Sequence, residues 1–94
     1  MPRCARAVAV GYPHHVTQRG NNRAQVFFDD QDRRTYLQLL QDYTRKYHIE
    51  IQAYCLMPNH LHLLAIPRVP DVFGRGIGLA NQCYTAYILS LIHI

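Results

Sequence analysis

The sequence predicts an α+β fold with the ferredoxin-like order β-α-β-β-α, an antiparallel sheet carrying its helices on one face. Residues 49–55 alternate apolar and mostly polar side chains, which is typical of a strand. The turn at residues 57–59 is so short that the next strand, 60–66, must pair antiparallel. Residues 29–47 repeat apolar side chains at helical spacing. We expect the fourth strand of the complete ferredoxin-like unit to be missing.

Local signals mark the first strand and the first helix. Val16 and Thr17 give residues 14–19 β-branched character, and residues 19–23 have the composition of a turn or loop. Asp29 is the predicted N-cap of the helix, with Asp32 at the position of a capping-box carboxylate. The apolar stripe of this helix, which we interpret as core, is formed by Tyr36, Leu39, Leu40, Tyr43 and Tyr47.

The second helix is predicted from about Asp71 to Tyr87. Gly74, Gly76 and Gly78 weaken its first turns by about 1 kcal/mol each relative to alanine. Their Gly-x-Gly-x-Gly spacing matches neither a Rossmann nor a Walker phosphate loop. We therefore expect a glycine-weakened helix here.

The composition describes one small domain, residues 1–94, with a basic lobe. The net charge is +4, and four arginines precede the first acidic residue, Asp29, which favours a phosphate-bearing partner. The three cysteines are far apart and form no CxxC pair, as expected in a reducing compartment. No segment resembles a membrane span or a signal peptide, so we expect a cytoplasmic protein that does not interact with membranes.

The most informative motif is a pair of histidines separated by one leucine. On a strand, side chains two residues apart project from one face, roughly 6.5 to 7 Å apart along the backbone. His60 and His62 can therefore reach one metal ion, while Leu61 and Leu63 face a core. Such a pair also occurs as two half-buried strand side chains, and a metal site needs at least one more ligand. The spacing alone leaves metal binding open.

Several larger protein classes that use this histidine pair do not fit the chain. An amidohydrolase barrel needs about 250 residues, and a cupin needs a longer all-β chain. A metallo-β-lactamase-like site continues with Asp and His, where Leu63 and Leu64 stand here. What remains is a small α+β metal site beside a basic loop, which suits a nucleic-acid backbone.

Three segments are informative together: residues 16–23 (VTQRGNNR), residues 26–29 (VFFD) with Asp32, and residues 53–64 (AYCLMPNHLHLL). They resemble the single-tyrosine HUH transposases, specifically the REP-associated branch. The resemblance covers residues 1–87 in the same order and spacing.

This resemblance implies a mechanism and a partner. His60 and His62 would hold Mg²⁺ or Mn²⁺ at the scissile phosphate, and a tyrosine hydroxyl would attack to give a 5′-phosphotyrosine and a free 3′-hydroxyl. The substrates would be single-stranded DNA ends with imperfect hairpins, and a homodimer is left open. The loop residues expected to hold the DNA are Arg19, Asn21, Asn22 and Arg23.

The chain departs from the family pattern at its C-terminal end. Family members carry the nucleophilic tyrosine on a later helix, with a metal-ligating side chain four residues after it, and these 94 residues contain no such segment. Tyr84 is the remaining candidate nucleophile, but four residues beyond it stands Ile88. Residues 88–94 resemble read-through sequence more than a native end. We therefore expect an N-terminal piece of a transposase, with its nucleophile beyond Ile94 and no cleavage by the piece alone.

Two other functions stay open at this point. One is a DNA-hairpin binding module without catalysis. The other is a small metal-dependent phosphodiesterase that uses metal-bound water.

Overall fold

A computed structural model describes residues 8–20, 24–71 and 73–92, and its elements follow the predicted order. They are β1 (His14–Arg19), α1 (Asp30–Lys46), β2 (Ile49–Met57), β3 (His60–Pro67) and α2 (Phe73–Ile92). Within these residues the three strands form one antiparallel sheet in the order β1-β3-β2. The predicted α+β class and the β-α-β-β-α order are confirmed.

The strands match their predicted positions closely. β1 has the predicted bounds, whereas β2 and β3 run slightly further, to Met57 and Pro67. The longer β2 follows from the tightness of its turn, because Met57 still pairs with His60 across only two intervening residues. β3 is the central strand, so its side chains are fixed by neighbours on both sides.

α1 begins at the predicted cap. Asp29 accepts a hydrogen bond from the backbone N–H of Asp32 at 3.0 Å, and the buried Asp32 carboxylate accepts one from the backbone N–H of Phe28 at 2.8 Å. The first bond satisfies an amide that the first helical turn leaves without a partner, and the second ties the residue before the cap to that turn. The predicted stripe faces inward: Tyr36 and Leu40 are buried, and Leu39, Tyr43 and Tyr47 pack against them.

α2 differs from its predicted bounds, since it starts at Phe73 and continues to Ile92. Residues 88–92 contain neither glycine nor proline, and Ile88 packs against the core, so no signal ends the helix at Tyr87. Gly76 is a packing residue, because a Cβ there would lie 2.7 Å from Ile49 Cδ1. Among the described residues, no helix combines the length and the hydropathy needed to cross a membrane.

The two faces of the sheet have different surroundings. Leu61, Leu63 and Ala65 of β3 are buried together with residues of both helices. The alternate residues project from the other side, which we call the open face. Its members around the centre of the sheet are His15, Thr17 and Arg19 of β1, Cys55 and Met57 of β2, and His60 and His62 of β3.

Candidate metal centre

His60 and His62 lie side by side on the open face, as the sequence predicts. Their ring centroids are 5.0 Å apart, and the ring planes are nearly perpendicular, at 89°. The intervening Leu61 is buried in the core, so the strand alternation that exposes the histidines is anchored by packing on the other side. Their cross-strand partners are Arg19 and Met57 for His60, and Thr17 and Cys55 for His62.

Both imidazole rings are held through their Nδ1 atoms. His60 Nδ1 lies 2.8 Å from Asn59 Oδ1, and His62 Nδ1 lies 3.0 Å from His15 Nε2. An amide oxygen only accepts, so His60 donates from Nδ1 and carries its lone pair on Nε2. Within the described residues, neither His60 Nε2 nor His62 Nε2 has a hydrogen-bond partner. Nitrogens of this kind can ligate a metal ion.

Electrostatics keep His62 in the form that a metal needs. Partial desolvation, together with the neighbouring His60, His15 and Arg19, lowers the pKa of His62 below its ordinary value. Metal ligation requires neutral imidazole, since a proton and a metal compete for the same lone pair. His62 therefore presents a neutral ring at neutral pH.

Arg19 is brought to the same site by the sheet register. It is the last residue of β1, is exposed, and lies directly across from His60. The next residue, Gly20, donates its backbone N–H to Asn59 O at 3.0 Å, which ties the end of β1 to the turn before β3. The other predicted DNA-binding residues, Asn21, Asn22 and Arg23, lie outside the described residues.

Tyr84 lies in the core, on the helix-covered side of the sheet. Its side chain is 6% exposed, packs against Phe27 and Tyr36, and donates its hydroxyl to Val26 O at 2.6 Å. Burial, with the nearby Asp32 carboxylate, raises the pKa of Tyr84 well above its usual range. All seven tyrosines of the chain are described, and none pairs with His60 or His62 in the sheet.

His15 is the site residue that the sequence reasoning missed. It contacts His62 from β1, 47 residues away in the chain, with the ring planes only 12° apart. A signal was present, because His15 and Thr17 have the same two-residue spacing as His60 and His62. That spacing places them on one face of β1 but does not show which face of β3 they join.

The two histidine nitrogens fit a divalent ion that takes most of its other ligands from DNA phosphate and water. Two imidazole nitrogens on the open face leave room for phosphate oxygens and water, which Mg²⁺ and similar ions retain as ligands. Across residues 8–20, 24–71 and 73–92, no three His, Cys, Asp or Glu side chains are grouped so as to hold a metal. A third protein ligand is therefore not supplied by these residue types in the described parts of the chain.

Comparison with known proteins identifies one family. The family model described as "Transposase IS200 like" matches residues 9–70, from the segment before β1 to the end of β3 and just beyond. This range includes all the open-face residues named above. No curated protein matches the chain significantly.

Proposed function

The chain belongs to the IS200-like transposase family, and from this premise we propose that it binds single-stranded DNA with hairpins and holds Mg²⁺ or Mn²⁺ at the phosphate to be cleaved. The family assignment implies DNA transposition by an enzyme that cuts DNA. We further propose that the chain belongs to the REP-associated, single-tyrosine branch and that its open face is the metal and phosphate site.

One observation carries the proposal. The rings of His60 and His62 share the open face, each is hydrogen-bonded at Nδ1, and neither Nε2 has a partner among the described residues. Packing alone does not require both rings to be hydrogen-bonded at Nδ1 on the same face of the sheet. Hydrogen-bonded Nδ1 and available Nε2 are the usual arrangement of metal-ligating histidines.

Arg19 supplies the contact to DNA. Arg19 pairs with His60 across β1 and β3, so a phosphate bound at the histidines also lies within reach of the positive charge of the Arg19 guanidinium. Guanidinium groups bind phosphate oxygens in pairs, which orients the phosphate as well as attracting it. We propose that Asn21, Asn22 and Arg23 extend this contact along the backbone.

The proposed reaction exchanges one phosphoester for another. When bound at His60 and His62, the metal ion supplies Lewis-acid activation of a phosphodiester. A tyrosine oxygen loses its proton and attacks phosphorus, the bond from phosphorus to the 3′-oxygen breaks, and that oxygen takes up a proton to become a 3′-hydroxyl. The phosphate stays on tyrosine as a 5′-phosphotyrosine. Because the ester is conserved, a later attack by a 3′-hydroxyl rejoins DNA without ATP.

We propose that the nucleophile comes from outside the described residues. Tyr84 is a poor nucleophile here, because its hydroxyl is buried, bonded to a backbone carbonyl and on the far side of the sheet from His62. The 94-residue chain then contributes the metal and phosphate site, and binds DNA without cutting it.

A Mn²⁺ titration of the 94-residue chain tests the metal site. Paramagnetic Mn²⁺ should broaden the NMR signals of His60 and His62 first, and His60→Ala or His62→Ala should abolish both the broadening and the heat of binding. His48→Asn is a matched control, since His48 is an exposed imidazole in the left-handed conformation that asparagine tolerates. Equal loss of binding in His48→Asn, or no selective broadening, would contradict the proposal.

Incubation with hairpin-bearing single-stranded DNA and Mn²⁺ tests whether the chain binds DNA without cleaving it. We expect retarded mobility of the DNA in a native gel and no covalent adduct in a denaturing gel. An adduct that disappears in Tyr84→Phe would show that the nucleophile lies within this chain. Cleavage without an adduct would favour a phosphodiesterase that uses water.

A further inference from the structure

The ring of His62 is oriented by a residue from another strand. His15 Nε2 lies 3.0 Å from His62 Nδ1, and the nearly parallel ring planes allow the N–H of one ring to point at the lone pair of the other. Thr17 Oγ1 lies 3.3 Å from His62 Nδ1 and 3.5 Å from His15 Nε2. The three groups form a small polar cluster on the open face.

The direction of this hydrogen bond determines which nitrogen of His62 is available. A neutral imidazole has one donor and one acceptor nitrogen. If His62 donates from Nδ1 to His15, its lone pair is on Nε2 and is free to bind a cation. If His15 donates instead, His62 Nε2 carries the proton and cannot be a ligand.

His60 and His62 are held by different kinds of anchor. His60 is held by Asn59, the preceding residue, so the turn itself supplies its acceptor. His62 has no such local acceptor among the described residues. Its Nδ1 instead contacts side chains of β1, which lies beside it because β1 pairs with β3. The second ring therefore depends on a residue that lies far away in sequence.

We propose that His15 is a positioning residue for His62: it accepts the Nδ1 proton of His62, selects the tautomer with the lone pair on Nε2, and holds that nitrogen toward the metal. This inference rests on the proposed function, because it assigns a role within the same metal site. His15 does not itself ligate the ion, because its Nε2 lone pair accepts the proton of His62 and its own ring proton is then on Nδ1. Thr17 supports the pair through its hydroxyl.

NMR of the metal-free chain tests the tautomer directly. The ¹⁵N shifts of a histidine-labelled sample should show His62 protonated at Nδ1. His15→Leu should weaken this preference, because leucine offers no acceptor and leaves only the longer contact from His62 Nδ1 to Thr17 Oγ1. His15→Gln should keep it, because the amide oxygen can accept the same proton. Since His15 is exposed, we expect both variants to fold, and their circular dichroism should match that of the unaltered chain.

Mn²⁺ affinity, measured by calorimetry, is the second readout. Loss of a partner that orients a metal-bound histidine typically weakens metal binding by about 10- to 100-fold, which is the loss expected for His15→Leu. His15→Gln should bind nearly as well as the unaltered chain, and His48→Asn should not change binding. Rescue by glutamine separates a hydrogen-bonding role from a merely structural one.

The outcomes distinguish this inference from the function on which it rests. Binding that is lost in His60→Ala but unchanged in His15→Leu would overturn the role of His15 and leave the metal site standing. Protonation of His62 at Nε2 in the metal-free chain would do the same. Absence of Mn²⁺ binding by the unaltered chain would overturn both proposals.

Discussion

The two faces of the sheet carry alternate residues of β3 with different roles, since one face packs in the core and the other carries the candidate metal centre. On the helix-covered face, Leu61 and Leu63 are almost completely buried in one cluster with residues of both helices. On the open face, His60 and His62 are partly exposed, and their contacts are hydrogen bonds and ring edges. β3 thus provides the core with one set of side chains and the site with the other.

This difference shows how a small domain can place polar chemistry without losing stability. Burial of the leucines contributes hydrophobic free energy, at roughly 25 cal/mol for each Å² removed from water. The histidines add little to that term, because they stay in contact with solvent. Their positions are instead determined by the backbone that the leucines anchor. Substitutions on the two faces should therefore separate stability from ligand binding.

The largest effect on stability is expected for Leu63→Ala. Leu63 is 1% exposed, and truncation of such a leucine removes buried surface and leaves a cavity, at a cost of about 2 to 5 kcal/mol. The free energy of unfolding can be measured by urea denaturation followed by circular dichroism. For comparison, His62→Ala on the open face should change it by about 0.5 kcal/mol or less. Similar losses in the two variants would mean that the open face is also part of the packed structure.

A smaller effect is expected for Tyr84→Phe. The substitution removes the hydrogen bond to Val26 O but keeps the ring packing, so unfolding should become easier by about 1 to 3 kcal/mol. Tyr12→Phe is the matched control, because Tyr12 is 67% exposed and should tolerate the change. Both variants should bind hairpin DNA as the unaltered chain does. If Tyr84→Phe is fully folded but binds DNA more weakly while Tyr12→Phe does not, Tyr84 would be part of the DNA-binding site.

The smallest effect on unfolding, within about 0.5 kcal/mol, is expected for the double substitution Arg19→Ala and Arg23→Ala. Its effect should appear in DNA binding: loss of two phosphate contacts makes the dependence of log K on log salt shallower by about 1.4 to 1.8 units. Fluorescence anisotropy of a labelled hairpin over a range of salt concentrations gives this slope. Arg45→Ala, an exposed arginine in the last turn of α1, should leave the slope unchanged. An unchanged slope in the double variant would mean that Arg19 and Arg23 do not contact DNA phosphates.

The sequence alone determined the features that depend on neighbours along the chain. The bounds of β1, the cap at Asp29, the stripe of α1 and the shared face of His60 and His62 were all predicted, because each follows from local periodicity or from a side chain bonding to its own turn. The family resemblance was also carried by contiguous segments, and the match over residues 9–70 supports it at the level of IS200-like transposases.

Only the tertiary structure decided the features that depend on partners far away in sequence. Pairing of β1 with β3 brings His15 to His62 and Arg19 to His60, and no pattern within β1 sets that register. Similarly, Ile49 packs closely against Gly76, a contact that the sequence does not show, since there this glycine only weakens a helix. The sequence shows which side chains of a strand share a face. Which side chains of a neighbouring strand lie beside them depends on how the strands pair, and packing of the core fixes that pairing.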